Sequence, residues 1–522
     1  HYQTKQTFDL FDADIMLGVN KDLTDKISTN SVVGANTQKQ TFEALSAQGD
    51  NYVVIGLEDI NNTTNPLPVY SFWEKKKNSV YGSFELSWDK WAYLTYTGRN
   101  EWFSSLSFPG KTTPNSDYYW SLSGSALLND AFNMGDAVSY LKLRSSYAQV
   151  AGDTGAYQLN LDYSVLGTFL GQAFGQINGS TIPNPDLVPL QKNEFEVGLE
   201  GRFFSNRLNI DLAYYANETT NDIVRATATP TSGYLGAMLN VGELQNKGFE
   251  LLIGGYPIRN DDFSWNISYN LGYNDSEIVA TNEDANPITM TGSRSETAYI
   301  EHQVGEDYGT IVGFGFKRDD AGNIVYSIDG NGVPRPEQGE YMILGQGVAP
   351  LTMGLTNSFN YKGIGLNFLI DAKFGGQVYS GTNAQAYFNG RHKETLKGRE
   401  DGLVVTGVDT DGNPLNVVVE PRNIPSYNQY FWDKIAEEFI YDTDFIKFRE
   451  LSLSYSFPKD LIGEDFIKDL RISLIGRNLF YIMKDVDNID PEASLNNTNA
   501  QGLERFGVPS TKSYGFSVNV KF

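Results

Sequence analysis

Apolar residues in this chain recur at every second position. In the stretch 263–274, Phe263, Trp265, Ile267, Tyr269, Leu271 and Tyr273 alternate with Ser264, Asn266, Ser268, Asn270, Gly272 and Asn274. A period of two belongs to extended strands, whose side chains point to opposite faces in turn. The last ten residues repeat it, with Tyr514, Phe516, Val518, Val520 and Phe522 on one face and Ser513, Gly515, Ser517, Asn519 and Lys521 on the other. Ten residues at roughly 3.3 Å each, tilted by about 45°, cross the apolar slab of a bilayer. One face suits lipid, and the other is polar but hardly charged, as a water-filled lumen requires.

The pattern predicts 15 strands, and their spacing predicts the architecture. Short connections are expected at 20–25, 89–90, 129–137, 204–206, 256–262, 362–363 and 458–469. Long ones are expected at 37–71, 103–117, 151–190, 217–243, 275–350, 375–443 and 479–511. Strict alternation of short and long defines an up-and-down meander with every long loop on one side, the layout of outer-membrane barrels. Thr310 to Phe316 has strand character but would break the alternation, so it is placed inside the 275–350 loop. The expected fold class is therefore all-β, a transmembrane antiparallel up-and-down β-barrel. A soluble sheet also alternates where it is half buried, but its strands average about five or six residues against about nine to twelve here. Aromatics also gather near strand ends, at Trp88 and Trp91, Trp102 and Phe103, and Tyr118, Tyr119 and Trp120, where an interfacial girdle sits.

Composition narrows the chemistry. The 522 residues hold no Cys and only three His, His1, His302 and His392, far apart in sequence. Thiolate chemistry is excluded, and a His-based metal cluster or triad has little to work with. A net charge of −24 argues against nucleic acid as a partner. No run of 18 apolar residues occurs, so a helical span is not expected. Asp409-Thr410-Asp411-Gly412-Asn413 and Asp329-Gly330-Asn331-Gly332 resemble calcium loops faintly, but Pro414 replaces a needed Gly and neither has a closing Glu. They read as hairpin turns. No phosphate loop or nucleophile elbow appears, and the expected chain is not an enzyme, with no cofactor and no metal.

Several stretches resemble the SusC/RagA family of TonB-dependent outer-membrane transporters. They are Asn184-Pro185-Asp186-Leu187, Glu194-Phe195-Glu196-Val197-Gly198-Leu199-Glu200, Asn206-Arg207-Leu208 and Gly242-Glu243-Leu244-Gln245-Asn246-Lys247-Gly248-Phe249-Glu250-Leu251. Further along come Asp444 to Tyr455, Gly476-Arg477-Asn478-Leu479-Phe480 and Asp490-Pro491-Glu492, and the chain ends on Phe522. The resemblance implies a barrel of about 22 strands around a plug, a SusD-like surface lipoprotein as lid, and energy from TonB. The 15 strands would be the C-terminal part of that barrel, with the plug domain, the signal peptide and the first strands absent, and Phe522 as the barrel-assembly signal.

Import of large solutes such as oligosaccharides or peptides is the expected function, in the outer membrane of a Gram-negative bacterium. The alternatives are a structural or docking barrel in a larger assembly, and a soluble all-β glycan-binding protein. Candidate lumen-facing residues are Lys142, Arg144, Glu194, Glu196, Glu200, Arg202, Arg207 and Asp211. Candidate contacts to substrate or lid are Tyr427, Tyr430, Phe431 and Trp432 in the 375–443 loop, and Trp102 and Phe103 at a strand end. Exposed aromatics stack on sugar rings or anchor protein contacts.

Overall fold

A computed structural model describes residues 2–522 apart from 66, 178, 282–284, 463–465 and 496–499. The parts of the expected connections that contain these positions lie outside the described residues. Fifteen long strands follow one another in chain order in the main sheet. They are β1 (Tyr2–Asp22), β2 (Ile27–Gln48), β3 (Leu67–Trp88), β4 (Ala92–Phe103), β5 (Ser116–Leu127), β6 (Val138–Gly152), β7 (Leu190–Phe203) and β8 (Leu208–Thr227). Then come β9 (Gly236–Arg259), β10 (Phe263–Ala280), β11 (Leu351–Tyr361), β12 (Ile364–Phe374), β13 (Phe445–Ser456), β14 (Asp469–Lys484) and β15 (Ser513–Lys521). Registers from β1 to β5 and from β10 to β15 are antiparallel.

Tight turns join these strands at one end. Lys362 and Gly363 both have positive φ, 46° and 88°, the type I′ geometry whose twist matches a two-residue hairpin. Two expected long connections are shorter than the sequence implies. Residues 37–48 and 67–71 extend β2 and β3, with the ladder running to Gln48↔Leu67, and the 217–243 connection shrinks to 228–235. In the extensions of β2 and β3 apolar residues fall on both faces, Phe42 and Val69 on one and Leu45 and Tyr70 on the other, so they show no clean alternation, whereas a backbone ladder forms whatever the side chains are.

The apolar rows of the strands face outward. Phe516 and Tyr514 are each 77% exposed, and Ile15, Val33 and Leu474 are exposed with them. Contiguous rows of this kind are costly in water and suit hydrocarbon. No described helix is long and apolar enough to cross a membrane.

The chain divides into two units. The first comprises His1–Ala131, Leu143–Val197 and Asn217–Glu243, and the second Phe132–Lys142, Gly198–Ala216 and Leu244–Phe522. The first contains β1 to β5 and a small loop core of Phe103, Leu106, Leu159, Leu187 and Met238. The second contains β10 to β15, and here the connections 281–350, 375–444 and 485–512 fold into a body of their own. Thr310–Phe316 pairs with Ala298–His302 and Gln338–Gln346 in a four-stranded sheet inside the β10–β11 connection. Val325–Ile328 pairs with Leu403–Asp409 from the next connection, and Tyr379 and Ser380 pair with Leu503 and Glu504 from the last. Ala298, Ile300, Ile311, Tyr427, Phe431 and Phe439 form its buried centre.

Candidate functional site

A bulge in β13 builds a heavily bonded polar cluster in the second unit. Glu450 pairs with Leu369 and Phe448 with Ile370, so Arg449 is an extra residue in the ladder. The count of two is broken there. Leu451 and Leu453 lie in the outward row below the bulge, Phe448 rejoins that row above it, and Phe448 stacks on Phe368 and Phe480 at 5.8 and 5.2 Å. Lys447, Arg449 and Glu450 are thereby all available to the polar face.

Arg449 makes a paired contact with Asp371 (Nη2 to Oδ2 2.6 Å, Nε to Oδ2 2.9 Å) and another with Glu492 (2.8 and 2.9 Å). Lys447, only 1% exposed, donates to Glu492 at 3.1 Å and to the Tyr481 hydroxyl at 2.9 Å. Tyr481 in turn donates to Asp490 at 2.6 Å. Burial would raise both loop acids, but for Asp490 the bonds from Ser510 and Tyr481, and for Glu492 those from Arg449 and Lys447, outweigh it and hold the carboxyls below their ordinary range. The Asp490-Pro491-Glu492 turn thus fastens the last connection to the polar wall. The sequence motifs at 444–455 and 490–492 meet here, which explains why both belong to the same resemblance. Gly248, in the motif at 242–251, has an equally physical reason: a Cβ there would sit 2.3 Å from the Tyr273 carbonyl oxygen and 2.5 Å from the Tyr215 hydroxyl.

The candidate lumen-facing residues fall into separate groups. In the first unit Arg144 donates to Glu196 at 3.1 Å across β6 and β7, and Lys192 pairs with Glu194 at 3.2 Å. In the second, Glu200, Arg202 and Asp211 line a cavity of about 580 Å³ with Asn209, Asn266 and Ser268. Arg202 pairs with Glu200 at 3.2 Å and lies 5.0 Å over the Tyr140 ring. Lys142 lies on β6 and is half buried. Arg207, a lumen-facing candidate, lies in the 204–207 turn, where the chain reverses and its side chain is exposed.

The aromatic candidates need a larger correction. Tyr427 and Phe431 are 6% and 5% exposed. Their rings meet at 5.3 Å, and Tyr387 packs on Phe431 and Phe439 at 5.9 and 5.7 Å, all edge to face. They are the core of the loop body rather than exposed platforms, because these connections are long enough to bury an apolar interior of their own. Tyr430 is half buried with the Arg335 guanidinium 5.4 Å over its ring, and Trp432 is half buried against Phe388 at 5.4 Å. Phe103 is likewise buried, beneath Lys77 at 5.4 Å, whereas Trp102 remains exposed. Phe522, beyond the end of β15, packs on Phe466 at 5.1 Å.

Two titratable groups of the loop body depart from ordinary behaviour. Burial first, then the neighbouring Glu437 and Glu394, push Glu438 up to about 7, with Lys397 opposing. Burial pulls His302 down to about 4. The Asp329 carboxylate accepts from the backbone N–H groups of Asn331 (2.9 Å) and Val333 (3.0 Å), and Asp409 does the same with Asp411 and Asn413. Both acids are engaged in closing their own turns.

The family model described as TonB dependent receptor-like, beta-barrel matches residues 1–479. The chain belongs to this TonB-dependent receptor β-barrel family. TonB-dependent receptor P3 of Formosa agariphila is 24% identical over 477 residues, 85% of this chain and 45% of that protein. TonB-dependent receptor SusC of Bacteroides thetaiotaomicron is 23% identical over 85% of this chain and 43% of its own length. Among solved structures, the RagAB peptide importer in its closed-closed state superposes over the whole chain and 56% of the neighbour with a TM-score of 0.78, at 19% identity. That likeness shows the fold. The chain spans 40 to 51% of the length of the four curated relatives, which are named as receptors and not as enzymes. TonB-dependent receptors are outer-membrane proteins, which agrees with the outward apolar rows.

Proposed function

We propose that this chain supplies wall strands and external loops to a multi-pass importer in the outer membrane of a Gram-negative bacterium. Its solutes are too large for porins, oligosaccharides or peptides, its energy comes from TonB, and a SusD-like surface lipoprotein acts as its lid. The observation that carries this reading is the sorting of connections in a TonB-dependent receptor barrel. Short turns occupy one end of the strands, while the long connections at the other fold into a packed body that can shape a binding surface. The relatives' names support the two solute classes, SusC and the RagAB peptide importer being the named examples.

Deleting the gene should abolish growth on the oligosaccharide or peptide taken up through the receptor, and deleting tonB should do the same. The lipoprotein should co-purify with the receptor in detergent. Growth unchanged in both deletions would sink the import reading and leave a docking barrel as the better account.

A further inference from the structure

We propose that the inner face of β1, β2 and β3, beyond the membrane boundary, is a stacking subsite for the rings of a neutral oligosaccharide. This rests on the import reading above and selects between its two solute classes.

The location follows from the strand lengths. β1, β2 and β3 contain 21, 22 and 22 residues, whereas about ten suffice to cross the apolar slab. Counted from the 23–26 turn, the outward row is apolar at Ile15, Val33 and Val80. It becomes polar at Thr37 and Asn78, which are bonded at 2.8 Å, and charged at Lys39 and Glu74, which pair at 2.8 Å. Residues past that level stand in water at the long-connection end.

There the opposite face changes character. Phe8, Phe42 and Trp73 are directly aligned across the three strands. The Phe42 and Trp73 rings are 5.8 Å apart and inclined by 17°, and Phe8 leans to within 6.2 Å of Trp73. Phe8 is 56% exposed, so the cluster opens to solvent. Immediately below lie the amides: Gln38 and Asn36 donate to the Asp12 carboxylate at 3.0 and 2.7 Å, and Gln40 donates to Gln38 at 3.1 Å.

Charge decides the class of ligand. A peptide brings charged termini and needs counter-charges. The cations of this face, Lys75 and Lys77, are both taken up by Asp153, at 2.8 and 3.5 Å, and Asp153 also accepts from Ser105 at 2.5 Å. What remains is near-parallel rings beside amides that both donate and accept, and the Asp12 and Asp14 carboxylates, acceptors already engaged by Asn36, Gln38 and Tyr81. A sugar ring has apolar C–H faces that stack on aromatics and an edge of hydroxyls that bond amides.

The test uses the full-length receptor in detergent, titrated calorimetrically with maltohexaose, cellohexaose, xylohexaose and mannohexaose, and with a tryptic casein digest, alongside uptake by cells. At least one hexasaccharide should bind. Trp73→Ala should weaken it about tenfold or more, the loss of one good ring contact, while Trp73→Phe should retain most of the affinity. Native heat-modifiability on gels checks that the variants are folded. Binding of the digest but of no hexasaccharide would overturn the choice of sugar, and hexasaccharide binding indifferent to Trp73→Ala would overturn the site. Uptake that persists without the receptor would instead defeat the import reading.

Discussion

The wall strands and the loop body obey opposite rules about where apolar side chains go. On β15, Tyr514 and Phe516 lie in the open, while in the loop body Tyr427 and Phe431 are almost entirely enclosed. Both regions are β-rich and aromatic. The difference lies in the solvent each was built for: hydrocarbon accepts an aromatic ring at no cost, so the wall needs no second layer, whereas water forces the connections to make one.

That contrast predicts unequal responses to the same mutation. Phe431→Ala should destabilise the loop body by about 3–5 kcal/mol, the usual loss for a buried ring. It should appear as accelerated hydrogen exchange across 298–316 and 424–440. Phe516→Ala should leave those amides and the β15 amides nearly unchanged in detergent. Equal effects at the two positions would break the comparison.

The clasp between the two kinds of region should respond next most strongly. Glu492→Ala leaves Lys447 buried without its nearest carboxylate, at a cost of about 3 kcal/mol. Residues 485–512 should become sensitive to protease while β13 and β14 keep their protection. In the native protein, the depressed carboxyls of Asp490 and Glu492 contribute stability that is fully present above the ordinary carboxylate range and is lost as pH falls through that range to their lower folded-state values. Pepsin should therefore cut this connection first on acidification. Resistance of residues 485–512 in Glu492→Ala would remove the clasp.

The smallest effect concerns pH on the alkaline side. Glu438 has a folded-state value near 7, above that of the unfolded chain, so the folded state holds the extra proton between about 4.5 and 7 and loses stability as pH rises through that window. Exchange in 424–442 should quicken modestly from pH 6 to pH 8 after correction for intrinsic rates. Glu438→Gln should flatten the dependence, and an unaltered profile in that variant would assign the effect elsewhere.

How much of this was legible in sequence follows from the same physics. Lipid-facing strands advertise themselves by alternation, so β10 and β15 could be read residue by residue. The extensions of β2 and β3 could not, because Thr37 to Gln48 offers no contrast between faces. This also concealed the alignment of Phe8, Phe42 and Trp73. In the loop body the strands are short, and Tyr427 and Phe431 lie on a short helix and just beyond it, so no period distinguished an interior from an exposed cluster. Lys447 and Glu492 are 45 residues apart, a distance that only the fold closes.

The single supernumerary residue in β13 sets the phase of everything past it. Were Arg449 instead drawn into the regular count, it would take the next outward place after Leu451, Phe448 would turn toward water and Lys447 would rotate into the bilayer. Placing a lysine in hydrocarbon costs about 2–4 kcal/mol at mid-depth. An evolving strand of this kind can therefore lose the extra residue together with its bulge, or keep both, yet it cannot flatten the kink around that residue without turning its upper half inside out.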